Sequence, residues 1–203
     1  MIAVSGMAVD ACPTGLNVVP TADVQPEGRL SIQLEVARDA TAHDDDPRWS
    51  LLAQIGLPHR TELGVDLADL QSDALWLLDA KWQVVEESDD HPAVALGLLD
   101  INRGPERGYY LAGARHIGSG ALRAHAGVLR VNDTTAGMFG AEVEVAPRTV
   151  MMIDLITGAD GRSGLGVEHA LGAGYGVYVF HIAGNTDDGA HPSGLNLSWE
   201  GRW

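Results

Sequence analysis

The chain is poor in several features on which common protein classes depend. It contains one cysteine, Cys12, so an internal disulfide is excluded. Lys and Arg number 13 against 28 Asp and Glu, and the net charge of -15 argues against the basic patches that bind nucleic acid. No apolar run is as long as a transmembrane helix, so the chain is either soluble or a barrel that crosses a membrane with strands. Aromatic residues make up only 5% of it, which is few for such a barrel.

The sequence is rich instead in short stretches of alternating apolar and polar residues. We predict about twelve strands from them, an even number as in bacterial membrane barrels. They lie at residues 29–38, 48–57, 61–69, 74–86, 93–101, 108–116, 120–131, 138–146, 148–157, 163–171, 174–182 and 194–203.

The connections between these stretches alternate in length. Tight ones rich in turn residues lie at 58–60, 118–119, 146–148 and 172–174, with a longer exception at 86–92. Longer, polar ones lie at 39–47, 102–107, 132–137, 158–162 and 184–193. This rhythm predicts an all-β fold: an up-and-down antiparallel membrane β-barrel of about 12 strands with both termini at the tight-turn end.

Alternation also assigns the two faces of each strand, because successive side chains point to opposite sides of a sheet. We predict an apolar lipid-facing side and a polar side that lines the lumen. The polar residues expected in the lumen are Glu35, Glu62, Asp66, Asp79, Lys81, Arg115, Arg123, His125, Glu142, Glu144, Asp154 and Glu168. Arg123 and His125 should reach Glu142 and Glu144 on the next strand. A salt-bridged, plugged lumen is favoured slightly over an open pore, and an open pore should favour cations.

Aromatic residues gather near the predicted strand ends, as rings do at membrane interfaces. The interface aromatics are Trp49, Trp76, Tyr109, Tyr110, Tyr175 and Trp203. The alternative is a soluble β-sandwich or β-barrel ligand-binding module, which would bury Leu30, Ile32, Leu34, Phe139 and Val143 in its core.

The sequence favours one domain, since no linker rich in Pro and Ser divides it. We assign residues 1–28 to an irregular N-terminal segment, in the lumen or the periplasm, and residues 29–203 to the barrel. Residues 1–20 contain no Lys or Arg and do not form a signal peptide. Because a barrel must be exported, we expect a mature form or a truncated gene start; a cytoplasmic protein is the alternative.

Candidate chemistry is sparse. Three loops combine acidic residues with a histidine, at 43–46, 89–91 and 187–191, but the middle one falls at the opposite end of the predicted barrel from the other two. Solvated loops are therefore expected, with no metal site and no cofactor. Ser119 and Ser163 have no evident His and Asp partners, so we do not expect an enzyme.

Three segments carry a resemblance to a known family. Residues 14–28, with the sequence TGLNVVPTADVQPEG, resemble the opening motif of YjbH-like outer-membrane proteins, a group associated with exopolysaccharide. Residues 109–115 and 139–148 look like the paired-strand motifs of that family. The resemblance implies a barrel in the bacterial outer membrane with a lumen and no established catalytic residues. Its expected partners are the lipid bilayer, the outer-membrane assembly machinery and polysaccharide or small cations.

Overall fold

A computed structural model describes residues 14–39, 46–71, 75–118, 120–159, 161–184 and 191–203. The predicted fold class is confirmed: twelve antiparallel strands follow one another around a closed barrel, and the first pairs with the last. The strands are β1 Arg29–Asp39, β2 Arg48–Leu57, β3 Thr61–Ala68, β4 Leu75–Val85, β5 Ala93–Leu99, β6 Gly108–Ile117, β7 Leu122–Val131, β8 Thr134–Ala146, β9 Thr149–Ile156, β10 Arg162–Gly172, β11 Tyr175–Gly184 and β12 Pro192–Arg202.

The β7–β8 connection is the main departure from the predicted strand pattern. We expected a longer loop over residues 132–137, but β8 begins at Thr134 and pairs there with Val131. Asn132 takes a left-handed conformation, with φ of 53°, which asparagine tolerates and a two-residue hairpin turn requires. The turn therefore consists of Asn132 and Asp133 alone.

The two ends of the barrel differ as the sequence predicts. We call the end where β1 begins the short-turn end; it carries two-residue turns such as Pro147 and Arg148 between β8 and β9. The longer β4–β5 connection, residues 86–92, is at this end as expected. The opposite end, which we call the long-loop end, holds the β5–β6 connection with a short 3-10 segment, Ile101–Glu106. Within the described residues, no helix is long and apolar enough to span a membrane.

The outer surface of the barrel is apolar. Leu34, Val65, Phe139 and Val179 point outward and are 39% to 55% exposed. A soluble domain would place these side chains inside, because exposed apolar area on this scale is unfavourable in water. The soluble sandwich alternative, which would bury Leu34 and Phe139, is therefore wrong.

The interior of the barrel is packed, and its wall differs in character around the ring. Strands β5, β6 and β8 contribute small or apolar side chains that point inward, among them Ala93, Ala95, Ala112 and Met138. Strands β1 to β4 present mainly polar ones. Inside the wall lie residues 14–28, which we call the luminal segment, and their Val19 and Ala22 pack directly against the apolar cluster.

Candidate functional site

The luminal segment runs through the interior of the barrel and folds back on itself. At the short-turn end the Gly28 N–H donates to the Gly56 carbonyl at 3.0 Å. The segment rises from there to the long-loop end, where its turn borders a cavity of about 60 Å³ beside Leu99 and Ile156. The turn is closed by a hydrogen bond from the Leu16 N–H to the Val19 carbonyl at 2.9 Å. The luminal segment therefore occupies the interior of the barrel from the short-turn end to the long-loop end.

Asp154 on β9 holds the turn of the luminal segment. One of its carboxylate oxygens accepts the backbone N–H groups of Val18 at 2.7 Å and Val19 at 2.9 Å, and the other accepts the Asn17 amide at 3.0 Å. The Tyr178 hydroxyl donates to the Asn17 side-chain oxygen from β11. Asn17 is only 1% exposed, so these contacts satisfy polar groups that have little access to solvent.

Glu62 on β3 and Lys81 on β4 form a buried ion pair at 3.5 Å. This pair holds the part of the segment nearer the short-turn end. The Glu62 carboxylate accepts the Gln25 N–H at 2.6 Å and the Thr14 hydroxyl at 2.8 Å. The Lys81 ammonium donates to the carbonyl of Asp23 at 2.6 Å. Each charge thus has a partner of opposite sign and further hydrogen bonds, which is the condition for keeping a buried ion pair.

Two further wall residues contact the segment near the short-turn end. The Gln83 amide donates to the Ala22 carbonyl at 2.9 Å. The Arg123 guanidinium on β7 lies 2.9 Å from the Asp23 carboxylate and 3.1 Å from that of Glu87. Arg123 therefore connects the segment to the β4–β5 connection.

Wall glycines give the segment its space. A Cβ atom at Gly56 would collide with the carbonyl oxygens of Gln25 and Pro26. One at Gly164 would collide with the Asn17 side chain, and one at Gly140 with that of Leu16. Glycine allows a backbone to approach this closely, so the wall is shaped to the segment at both ends.

Other polar residues predicted for the lumen also lie inside the barrel. Glu35 is 2% exposed, and Asp66 is buried on the same side of the barrel. The Asp79 carboxylate accepts the Asp100 N–H at 2.8 Å near the long-loop end. Glu168 faces the interior from β10, in cross-strand register with Val150 and Tyr178.

The predicted contacts around Arg123 and His125 are met only in part. His125 is buried, and its ring lies 3.3 Å from the Glu142 carboxylate. Arg123 lies opposite Glu142 in the strand register, but it forms its ion pairs with Asp23 and Glu87. Glu144 is exposed at the short-turn end. A sequence pattern for β7 and β8 cannot reveal a third partner that arrives from residues 14–28.

Arg115 does not face the lumen, contrary to the prediction. In β6 the buried inward residues are Tyr110, Ala112 and Ala114, so Arg115 belongs to the opposite face with Leu111. Its guanidinium donates to the Asp89 carbonyl at 2.6 Å.

The aromatic residues predicted for the membrane interfaces point outward with one exception. Trp49, Trp76 and Tyr109 lie near the long-loop end, and Tyr175 and Trp203 near the short-turn end. Tyr110 is 5% exposed and lies inside, with its ring over Gly97 of β5. The absence of a side chain at Gly97 leaves the room that this ring fills.

Glu87 forms a polar cluster with His116 and Arg123 at the short-turn end. Its carboxylate accepts the His116 backbone N–H at 2.6 Å, and the His116 ring nitrogen Nδ1 lies 3.1 Å away. Loss of solvation raises the pKa of Glu87, but the hydrogen bonds from His116 and the charge of Arg123 outweigh it. The pKa therefore lies below its ordinary value of 4.5.

No group of three or more potential metal ligands occurs in the part of the chain that the structure describes. In the β4–β5 connection, the acidic residues Asp89 and Asp90 and the neighbouring His91 are exposed. His43, Asp44, Asp45, Asp187 and Asp188 lie outside the described residues.

Comparison with solved structures relates this barrel to porins. A KdgM porin matches with a TM-score of 0.60 and 11% identity, over 83% of this chain and 98% of that chain. KdgM in complex with disordered oligogalacturonate gives 0.58 and 10% over 84% and 98%, and the NanC porin gives 0.56 and 7% over 85% and 99%. No family model and no curated protein matches the chain. The likeness establishes that the chain has the barrel fold of these porins.

Proposed function

We propose that this protein is an outer-membrane β-barrel with a porin-like role. The observation that supports it best is the inverted barrel, with an apolar outer surface around an interior that contains the buried charged residues. Leu34, Val65 and Val179 on the outer surface would contact lipid, and outward Trp76 and Tyr175 would lie near its two interfaces. The fold shared with KdgM and NanC supports the same role.

The charge of the interior indicates the class of solute. The interior acidic residues outnumber the Lys and Arg residues that line it. The acidic residues include Glu35, Glu62, Asp66, Asp154 and Glu168, and the basic ones are Lys81, Arg123 and Arg162 among the described residues. An acidic passage concentrates cations and excludes anions. Oligogalacturonate, the ligand of one KdgM structure, is a polyanion that this interior would repel. We therefore infer a preference for cationic or neutral solutes when the passage is open.

Reconstitution in planar bilayers tests this proposal. With a salt gradient across the bilayer, the reversal potential should show that cations pass more readily than anions. The variant Glu168→Gln removes one interior carboxylate and should reduce the preference. Anion selectivity would contradict the electrostatic basis of the proposal.

A structural barrel linked to exopolysaccharide is a second candidate. The observation in its favour is that residues 14–28, which carry the resemblance to YjbH-like proteins, are those that fill the interior. A permanently filled barrel would have no transport activity and would act through its surfaces and partners. Loss of the gene should then lower secreted polysaccharide. Restoration by the wild-type gene would support this candidate, and unchanged secretion would exclude it.

A further inference from the structure

We propose that the interior wall is a binding site for a polypeptide segment that folds back on itself, and that residues 14–28 occupy it as a reversible gate. This inference rests on the proposed pore function. It states in addition what closes the pore and which atoms hold the closure in place.

The wall contacts the main chain of the luminal segment as well as its side chains. Asp154 accepts two backbone N–H groups, from Val18 and Val19, and Glu62 accepts the backbone N–H of Gln25. On the acceptor side, Lys81 and Gln83 donate to backbone carbonyls of the segment. Main-chain groups are common to every polypeptide, so these contacts recognise a chain that folds back on itself. The contacts to the Thr14 and Asn17 side chains add selectivity for this sequence.

The fit between wall and segment is steric as well as polar. Cβ atoms at Gly56, Gly140 and Gly164 would occupy space that the segment now fills. These glycines lie on three different strands, so the wall accommodates the chain at several heights. Together with the charged side chains that contact the main chain, these glycines form a binding site around the segment.

The segment can leave without breaking the barrel. Each strand is paired with both its neighbours around the closed ring. The backbone hydrogen bonds between strands and segment, from the Gly28 N–H to the Gly56 carbonyl and from the Arg29 N–H to the Pro26 carbonyl, lie at the short-turn end, where the segment joins β1. The groups left behind at the wall, including Glu62, Lys81 and Asp154, are charged. Water that enters an open pore would solvate them, so departure leaves no charge in a dry interior.

A matched pair of full-length variants tests the role of the main chain. Val18→Ala and Val18→Pro both remove the branched valine side chain, but only proline removes the N–H that Asp154 accepts. Hydrogen bonds to charged groups are strong enough that Val18→Pro should raise the open fraction in planar bilayers roughly tenfold or more over Val18→Ala. Equal open fractions in the two variants would overturn the inference.

A peptide added in trans tests the wall itself. In Val18→Pro the wall is unaltered, so a synthetic peptide with the wild-type sequence of residues 14–28 should bind it and lower the conductance again. A peptide of the same sequence with proline at position 18 should act much more weakly. No closure by the wild-type peptide would contradict a polypeptide-binding wall.

A change on the wall side provides a second, independent variant. Asp154→Asn weakens the site that holds the turn, whereas Glu144→Gln removes a carboxylate that is exposed at the short-turn end. Only Asp154→Asn should increase the open fraction. If the open fraction of both variants equals that of the wild type, Asp154 does not hold the segment in place.

Hydrogen exchange separates failure of the gate from failure of the pore. In Val18→Pro the amides of Val19 and Gln25 should exchange faster than in Val18→Ala if the segment leaves. Fast exchange without any conductance would overturn the pore function and leave the binding site standing. Slow exchange in both variants would overturn the gate.

Discussion

Single residues define the two environments of this barrel. Leu34 and Gln33 are neighbours in β1, yet one faces outward and the other faces the interior, where its side-chain oxygen accepts the Asn196 amide at 2.7 Å. The same alternation separates Val65 from Asp66 in β3. Each such pair therefore compares the two faces at almost the same height in the barrel.

Substitution within one such pair tests which face meets lipid. Leu34→Arg should lower the free energy of unfolding in a bilayer by about 2 to 4 kcal/mol, because a charge near the bilayer midplane loses its solvation. Gln33→Arg, one position away, should be mild because it enters an acidic interior beside Glu35. Folding titrations into lipid vesicles measure both. Equal losses at the two positions would argue against a lipid-facing outer surface.

At the scale of elements, the barrel wall and the luminal segment are joined by polar contacts at the short-turn end. Arg123 of β7 bridges Asp23 in the segment and Glu87 in the β4–β5 connection. Glu87 also accepts the backbone N–H of His116 at the end of β6. This connection is longer than the other turns at its end, and the cluster gives that extra length a structural role.

The Glu87 cluster should make stability depend on pH. Because the pKa of Glu87 is lowered in the folded protein, its contribution is fully present above the ordinary value of 4.5 and is lost as pH falls through the lowered pKa. The difference in Tm between wild type and Glu87→Gln should therefore shrink as pH is lowered from about 7 to about 3. Asp90→Asn, in the same connection, serves as the control. A difference that stays constant below pH 4.5 would contradict the assignment.

At the scale of the whole molecule, closure removes the sheet edges that an open sheet would expose. β1 and β12 pair over the full length of β1, from Arg29 with Arg202 to Asp39 with Pro192. Every strand then satisfies its backbone groups within the barrel, which is the requirement for crossing a lipid bilayer. The filled interior adds a second set of contacts to the same closed unit.

This architecture predicts heat-dependent migration on a detergent gel. The folded barrel should stay compact in detergent and migrate differently from boiled protein, since its backbone hydrogen bonds are all internal. Membrane fractions and vesicle-reconstituted protein, run with and without boiling, provide the measurement. Identical migration of the two samples, together with recovery in the aqueous fraction, would contradict a membrane barrel.

Most of the architecture follows from the amino-acid sequence, because the alternation of side chains in a strand is a local property with a period of two. Strands such as β1 and β4 have a clear polar face, and their bounds and orientation follow from it. β6 does not: in Tyr109-Tyr110-Leu111-Ala112-Gly113-Ala114 both faces are apolar, so its phase cannot be read from the pattern. Tertiary register with β5 decided that Tyr110 lies inside over Gly97 and that Arg115 lies outside.

The path of residues 14–28 is likewise a tertiary outcome. The sequence indicated an irregular segment in the lumen or the periplasm. No local pattern links Val18 to Asp154 or Asp23 to Arg123, because each pair is separated by about a hundred residues or more along the chain. Those contacts exist only once the ring has closed and brought β3, β4, β7 and β9 around one interior. Local periodicity thus sets the wall, whereas closure of the barrel sets what the wall can bind.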